Sequence, residues 1–585
     1  MLKTNLLSII LKDKSLNHIS IIQKILSKAK LAKLSNAKNI PKLIKTLNKT
    51  ERYIIFSLLV IILISSIIWG IKYFTSEQIE VPDFGGNYIE GLLGQPHFLN
   101  PVLAHNNDAD LAVSSLIFSS LIKHDAQGQI ILDVLEKYEL SKDSKVYTMH
   151  LKNNIFWHNG SKLESDDIIF TLKAIQDPLF QSPLRSSFQG VAIEKINNLS
   201  FKFILKNPYA PFLHSLTFGI LPKHIWQNVE PENFPLAEAN LKPIGTGPFK
   251  FKNLEKDKQG NIYLIELEQN KNYFQKKPYL EKITLKFFDS EENLIQAYQL
   301  KTILGLGYIS AQNKDKIQNN LEIYKLEIPR YFSVFFNQNR SKILASQKIR
   351  QALNLAVNKQ EIIQQVFKNQ AKTMHVPLPE YYKFSQEFDR EKAINILIND
   401  SWISNDQGIR QKKDDLLEFS LVTTDWPELV QTAEVLKNQW EQIGVKVEVI
   451  IDTPMNVQTD YLRPREYDAL LFGEALGFEP DLFAFWHSSQ KKDPGLNLAL
   501  YDNIKADKLL VDLRGNLENN IKEDKYKELQ KLLIQDNPAI FLFNPYYLYG
   551  VNRKVQGIEL EKIQGPQERF NNIHKWYIKT KTVRE

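Results

Sequence analysis

A mixed α/β body, carried outside the cytoplasm behind one membrane-spanning helix, is the architecture this chain predicts. Three features lead there: an uncharged run of nineteen residues, a strand–helix–strand unit near residue 430, and short segments of alternating apolar residues. The run, Tyr53 to Ile71, lies in RYIIFSLLVIILISSIIWGIK between Arg52 and Lys72. As a helix rising about 1.5 Å per residue it spans roughly 28 Å, close to the hydrocarbon thickness of a bilayer. Thirteen of its residues are Ile, Leu, Val or Phe, which favours insertion by about 4 to 8 kcal/mol. A cleaved signal peptide has a shorter apolar region followed by small residues. This run ends instead in Trp69, Gly70, Ile71 and Lys72, and is expected to stay.

Charge sets the orientation. Residues 1–52 hold twelve Lys or Arg against Asp13 and Glu51, while the whole chain carries a formal +7. A tail so basic is expected on the cytoplasmic side, followed by a membrane helix at 53–72 and a linker at 73–82. The residues beyond are slightly acidic, so nucleic-acid binding by the body is not indicated. Around Ile21, Ile22, Ile25 and Leu26 the tail also has the makings of a surface-lying amphipathic helix.

The remaining length suffices for two or three domains, and 43% hydrophobic with 24% charged residues is an ordinary globular composition. Alternation at Tyr147, Met149 and Leu151, and again at Tyr263, Ile265 and Leu267, predicts strands. Ser165 stands as a helix cap before Asp166 and Asp167, with Ile169, Leu172 and Ile175 along one stripe. From Leu417 to Ile451 a strand leads to Pro427 at a helix start, then Leu429, Ala433, Leu436, Trp440 and Ile443 on one face. Gly444 ends that helix, and Val445, Val447, Val449 and Ile451 alternate after it. The pattern is a βαβ crossover with parallel strands. IGTGPFKF, Ile244 to Phe251, lacks the Lys and Ser/Thr of a phosphate loop and reads as a tight turn.

Catalytic and metal constellations are not found. Cysteine is absent, which removes disulfides, thiolate nucleophiles, Cys-type zinc sites and a lipid-modified cysteine. There is no H-E-x-x-H or G-x-S-x-G, and the eleven His, such as His97, His105, His150 and His158, are scattered. Neither an enzyme nor a resident cofactor or metal is expected.

Nine segments taken in order resemble the family 5 extracellular solute-binding proteins, the binding components of oligopeptide, dipeptide and nickel ABC importers. They are LNPV, YTMHLKNNIFWHNGSKLESDDIIFTLKAI, IGTGPFKF, NKNYFQKKPYLEKITLKFF, FFNQN, KIRQALNLAVNKQEII, LKNQWEQIGVKVEV, GLNLALYDN and QDNPAIFLF. The resemblance runs from about Gly91 to Gln556. It implies an α/β, two-lobed periplasmic-binding-protein fold of type II with an additional domain. Lobe I would cover 83–328 with the additional domain at about 121–200, lobe II 329–543, and 544–585 a return to lobe I.

The function it implies is an extracytoplasmic receptor that closes on a small solute, most simply a peptide, and delivers it to an ABC permease as a single-pass, monomeric membrane protein. Ligand-facing positions carried over from the family are His105, Asn106, Asn107, Tyr308, Tyr331, Trp426, Glu474, Phe478 and Asn497. Peptide-binding members carry an aspartate shortly after a Gly-Trp pair. Here the run is GEALGFEPD, with Leu476 or Gly477 at that place and Glu474 replacing the Trp. Either Glu474 substitutes from another angle or the ligand has no α-amino group to hold; a nickel complex stays open. The rival reading is a membrane-anchored sensor that uses the same clamp.

Overall fold

The computed structural model describes residues 47–75, 78–104, 107–317, 320–515 and 518–584. The expected tail, up to residue 46, and His105 and Asn106 lie outside them. The chain divides into a small unit, 1–81 with 581–585, and a large one, 82–580.

The small unit contains a 27-residue helix, Lys49–Thr75. Its Lys49–Trp69 stretch has a mean hydropathy of 2.3, and none of it is buried. Phe56, Leu59, Ile62 and Ile68 are each more than half exposed. Strands Gln78–Asp83 and Lys579–Arg584 pair with each other.

The large unit is built on two principal sheets. The first has seven strands in the order Leu321–Leu326, Tyr547–Asn552, Gly305–Ile309, Asn87–Leu93, Lys282–Phe288, Ile262–Gln269 and Phe249–Lys256. The second has six: Ala371–Thr373, Ala539–Pro545, Arg330–Phe336, Ala469–Ala475, Glu418–Thr424 and Lys446–Asp452. Each sheet anchors its own hydrophobic core, and the second sheet has one on either face. The chain passes from first sheet to second through Glu327–Pro329 and returns through Tyr546. A four-stranded sheet spanning 135–204, with helix Ser165–Gln176 against it, is attached to the first lobe.

The 417–451 unit folds as its spacing predicts. Glu418–Thr424 pairs in parallel with Lys446–Asp452, and helix Pro427–Glu441 packs across them with Leu429, Ala433, Leu436 and Trp440 buried. Gly444 follows at φ +83°, a conformation that costs glycine little.

Two local expectations are corrected. Ser165 is the first helical residue, its hydroxyl donating to the Asn197 carbonyl at 2.6 Å; Glu164 occupies the cap, its N–H donating to the Asp167 carboxylate at 2.9 Å. Tyr263 is exposed while Ile265 and Leu267 are buried, because a register shift between Ile262 and Leu264 interrupts the alternation.

The glycine turn owes its composition to crowding. The Gly247 N–H donates to the Ile117 carbonyl at 2.8 Å, at the end of helix Asp108–Ile117. A Cβ on Gly245 would lie 1.9 Å from that oxygen, and one on Gly247 2.6 Å from it. This contact seats the helix whose first residue, Asp108, borders the crevice described below. Gly245→Ala is expected to destabilise the body by about 2 kcal/mol or more, since the backbone cannot yield as a side chain does. Urea unfolding reads this as a lower midpoint at constant slope; an unchanged midpoint counts against the close approach.

Candidate functional site

Between the sheets lies a crevice made of two hollows that share Ile328 and Arg330. The upper hollow has a volume of about 470 Å³, with Asp108 and Tyr308 from the first lobe facing Gln370, Trp426 and Glu428 from the second. The lower, about 860 Å³, sets Gln127 and Lys562 of the first lobe against Lys372, Glu380, Leu476 and Phe478 of the second. The crossing segments are pinned beside it. The Asn544 amide donates to the Ile328 carbonyl at 2.9 Å, and the Leu476 N–H to the Pro329 carbonyl at 2.8 Å.

The lobes also touch around the opening. The Gln312 amide donates to the Val366 carbonyl at 2.8 Å, and the Ala210 N–H to the Arg514 carbonyl at 3.2 Å. The Phe478 ring stands edge-on to His124, with centroids 4.7 Å apart. The two lobes thus meet at three points beside an interior lined by aromatic, aliphatic and charged side chains, the arrangement of a clamp.

One wall is held by a buried charge network. Arg569 donates from Nε and Nη2 to Oε1 of Glu90 at 2.9 and 2.7 Å, while the hydroxyls of Tyr549 and Tyr88 lie 2.8 and 2.6 Å from Oε2. Burial works against the charge on Arg569, but Glu90 with Tyr547 and Tyr549 outweighs it and raises the guanidinium pKa. Nearer the opening the carboxyls are less well served. Burial raises the pKa of Asp108, against the pull of Arg569 and Arg330, and raises that of Glu428, reinforced by Glu291.

The sequence-expected residues divide by location. Tyr308 and Trp426 line the upper hollow and Phe478 the lower. Asn107 is a helix cap: its Oδ1 accepts from the Ala109 N–H at 2.8 Å and its Nδ2 donates to the Gln95 carbonyl at 2.6 Å. His105 and Asn106 fall outside the described residues.

Tyr331, Glu474 and Asn497 require correction as crevice residues, because all three are buried inside the second lobe. Tyr331 and Glu474 are paired across neighbouring strands, their side chains hydrogen-bonded, and Trp486 Nε1 donates to the Tyr331 hydroxyl at 3.2 Å. Burial drives the Glu474 pKa well above the carboxylate range. An enclosed acid already bonded to Tyr331 does not take over the role of an exposed aspartate. Asn497 closes its own loop, donating to the Tyr501 carbonyl at 2.9 Å and accepting from the Tyr501 N–H at 3.0 Å.

Sequence reasoning passed over Asp108, Arg330, Gln370 and Glu428. For Glu428 a signal existed, since it follows Trp426 and Pro427 in the first turn of a helix whose other face is core.

Comparisons with known proteins agree with this geometry. The family model for bacterial extracellular solute-binding proteins, family 5 (middle) matches residues 129–495. The oligopeptide-binding protein AppA of Bacillus subtilis is 27% identical over 514 residues, 85% of this chain and 92% of AppA. The crystal structure of B. subtilis AppA with a nonapeptide matches at a TM-score of 0.68, 27% identity, covering 85% of this chain and all of that one. NikZ of Campylobacter jejuni, solved with Ni(L-His), matches at 0.69 and 26%, covering 84% and 99%.

Glu90→Gln would leave Arg569 enclosed without its counter-charge. The expected loss is about 3 to 5 kcal/mol of stability, with much of it restored in Glu90→Gln/Arg569→Met. Denaturant titration of both variants checks this, and a loss under about 1 kcal/mol in the single variant would remove the pair from its structural role.

Proposed function

We propose, from the premise that this chain belongs to the bacterial extracellular solute-binding proteins of family 5, that it captures a short peptide between its lobes and presents it to an ABC permease from a membrane-held position. Family members are binding proteins rather than enzymes, and the chain is a solute receptor of that kind. The observation that carries the reading is the crevice itself. Two lobes joined by only two crossing segments face each other across aromatic side chains, Trp426 and Tyr308 above and Phe478 below, with charged groups between.

Such a clamp works by differential stability. Solute touching both lobes favours the closed form over the open one, and the shift in population equals the difference in its affinity for the two. Flat aromatic faces supply contact area at low entropic cost, and a few polar groups fix orientation.

The anchor rests on the Lys49–Trp69 stretch, long enough to cross a bilayer and unburied in the folded chain. Its basic flank favours a cytoplasmic N-terminus. Extracytoplasmic display next to a permease follows.

Two experiments test these statements. With full-length protein in detergent micelles, mass spectrometry identifies the solute carried through purification. Adding it back is expected to slow amide exchange at Ala210, Val366 and Arg514, on both sides of the opening. Unchanged exchange with every solute recovered or supplied defeats the receptor reading. Separately, replacing residues 1–75 with a cleavable secretion signal is expected to shift the protein from the membrane fraction to the soluble extracytoplasmic fraction; retention in membranes defeats the anchor.

A further inference from the structure

The crevice contains a cation, Arg330, that forms no ion pair within 4.0 Å among the described residues; the Asp108 carboxylate acts on it only from farther away. Among the described residues, other deeply placed arginines are well served. Arg569 has Glu90. Arg350 donates to the carbonyls of Leu344, Ala345, Asp536 and Asn537 at 2.7 to 2.9 Å. Arg410 donates to those of Ile443 and Trp402 at 2.7 and 2.9 Å.

Arg330 differs. Its Nη2 reaches only the Pro545 carbonyl, at 3.4 Å, and its Nε is closed off from solvent with no partner. Burial lowers its pKa. The residue keeps part of its surface open at the junction of the two hollows, where Ile328 is its only common neighbour. Its guanidinium lies 5.7 Å from the centre of the Phe332 ring, which limits its orientation. A partly dehydrated guanidinium short of partners gains most from a planar oxyanion that takes two N–H bonds side by side.

The same hollow holds two acids, Asp108 and Glu428. Neither forms an ion pair within 4.0 Å among the described residues. Asp108 is exposed at the hollow, and Glu428 is 7% exposed. One positive and two negative groups oppose a phosphate dianion and suit a molecule carrying one carboxylate and a separate ammonium.

We infer that Arg330 binds a carboxylate of the captured solute, that Asp108 and Glu428 receive its ammonium, and that the receptor therefore selects zwitterions such as free-ended short peptides. This rests on the receptor reading and assigns its specificity to residues other than the aspartate position, which is Leu476 or Gly477 here. It also removes the need for Glu474 to face the ligand.

The test uses the full-length protein in micelles and one tripeptide library in three forms: both ends free, carboxyl-amidated and amino-acetylated. Amidation is expected to weaken binding to the unmodified protein about tenfold or more, the scale of a charged hydrogen-bonded pair. Arg330→Gln should abolish the preference for free acid over amide and keep the preference for free amine over acetyl. Glu428→Gln should weaken the preference for free amine, Asp108→Asn/Glu428→Gln should abolish it, and both should keep the preference for free acid. Arg330→Lys, which keeps the charge but loses the fork, should retain only part of the acid preference, and it serves if Arg330→Gln does not fold.

Equal binding of acid and amide overturns the inference, as does an acid preference that survives Arg330→Gln. If the library does not bind, the solute identified after purification decides: lacking a carboxylate, it overturns the assignment and leaves the receptor intact; carrying one, it must lose affinity in Arg330→Gln. If no solute of any class binds, the receptor reading itself fails.

Discussion

The ion pair of Glu90 and Arg569 is the contact on which the first lobe depends. It joins a strand at the start of the body, the returning strand through Tyr549, and the closing segment near the C-terminus. Segments more than 450 residues apart in sequence must meet before either charge is neutralised. A lone carboxylate or guanidinium in that core is strongly unfavourable. The first lobe is therefore completed only after the second has been built and the chain has come back, a high-contact-order topology that folds slowly. The same return fixes Tyr546 as one of the two crossings, so the pair that closes the core also sets the hinge line.

Electrostatic satisfaction divides the molecule. In the cores, charges are answered: Arg350 and Arg410 by carbonyls, Arg569 by Glu90. In the crevice Arg330, Asp108 and Glu428 have no such complement among the described residues, and their pKa values are shifted toward the neutral form. Stability sacrificed at a binding surface is recovered when the missing partner arrives, and the recovery is what favours closure. Aromatic walls add affinity with little regard to identity; the charges decide what is accepted.

Much of this fold was readable in the residues. The βαβ unit at 417–451 followed from spacings of three and four and from Gly444, because a helix with one buried face leaves a clear period. The glycine turn was recognisable as a turn, though not the carbonyl pressed against it, a contact between Ile117 and Gly245 that only tertiary structure supplies. Trp426, Tyr308 and Phe478 line the crevice. Tyr331 and Glu474 did not, for a reason alternation could not reveal: their sheet is covered on both faces, so odd and even positions are equally buried. Glu474 follows Leu470 and Phe472 on the face toward Trp486, and a carboxyl placed there looks in sequence like one bound for solvent. Arg330 was hidden for the opposite reason. A single arginine beside a proline resembles ordinary surface charge until the hinge geometry turns it inward.

The pairing of Gln78–Asp83 with Lys579–Arg584 carries a mechanical consequence. Backbone hydrogen bonds along the pair tie the segment that follows the apolar helix to the last strand of the chain. A pull on either segment is therefore shared with the other and does not pass through one strand alone.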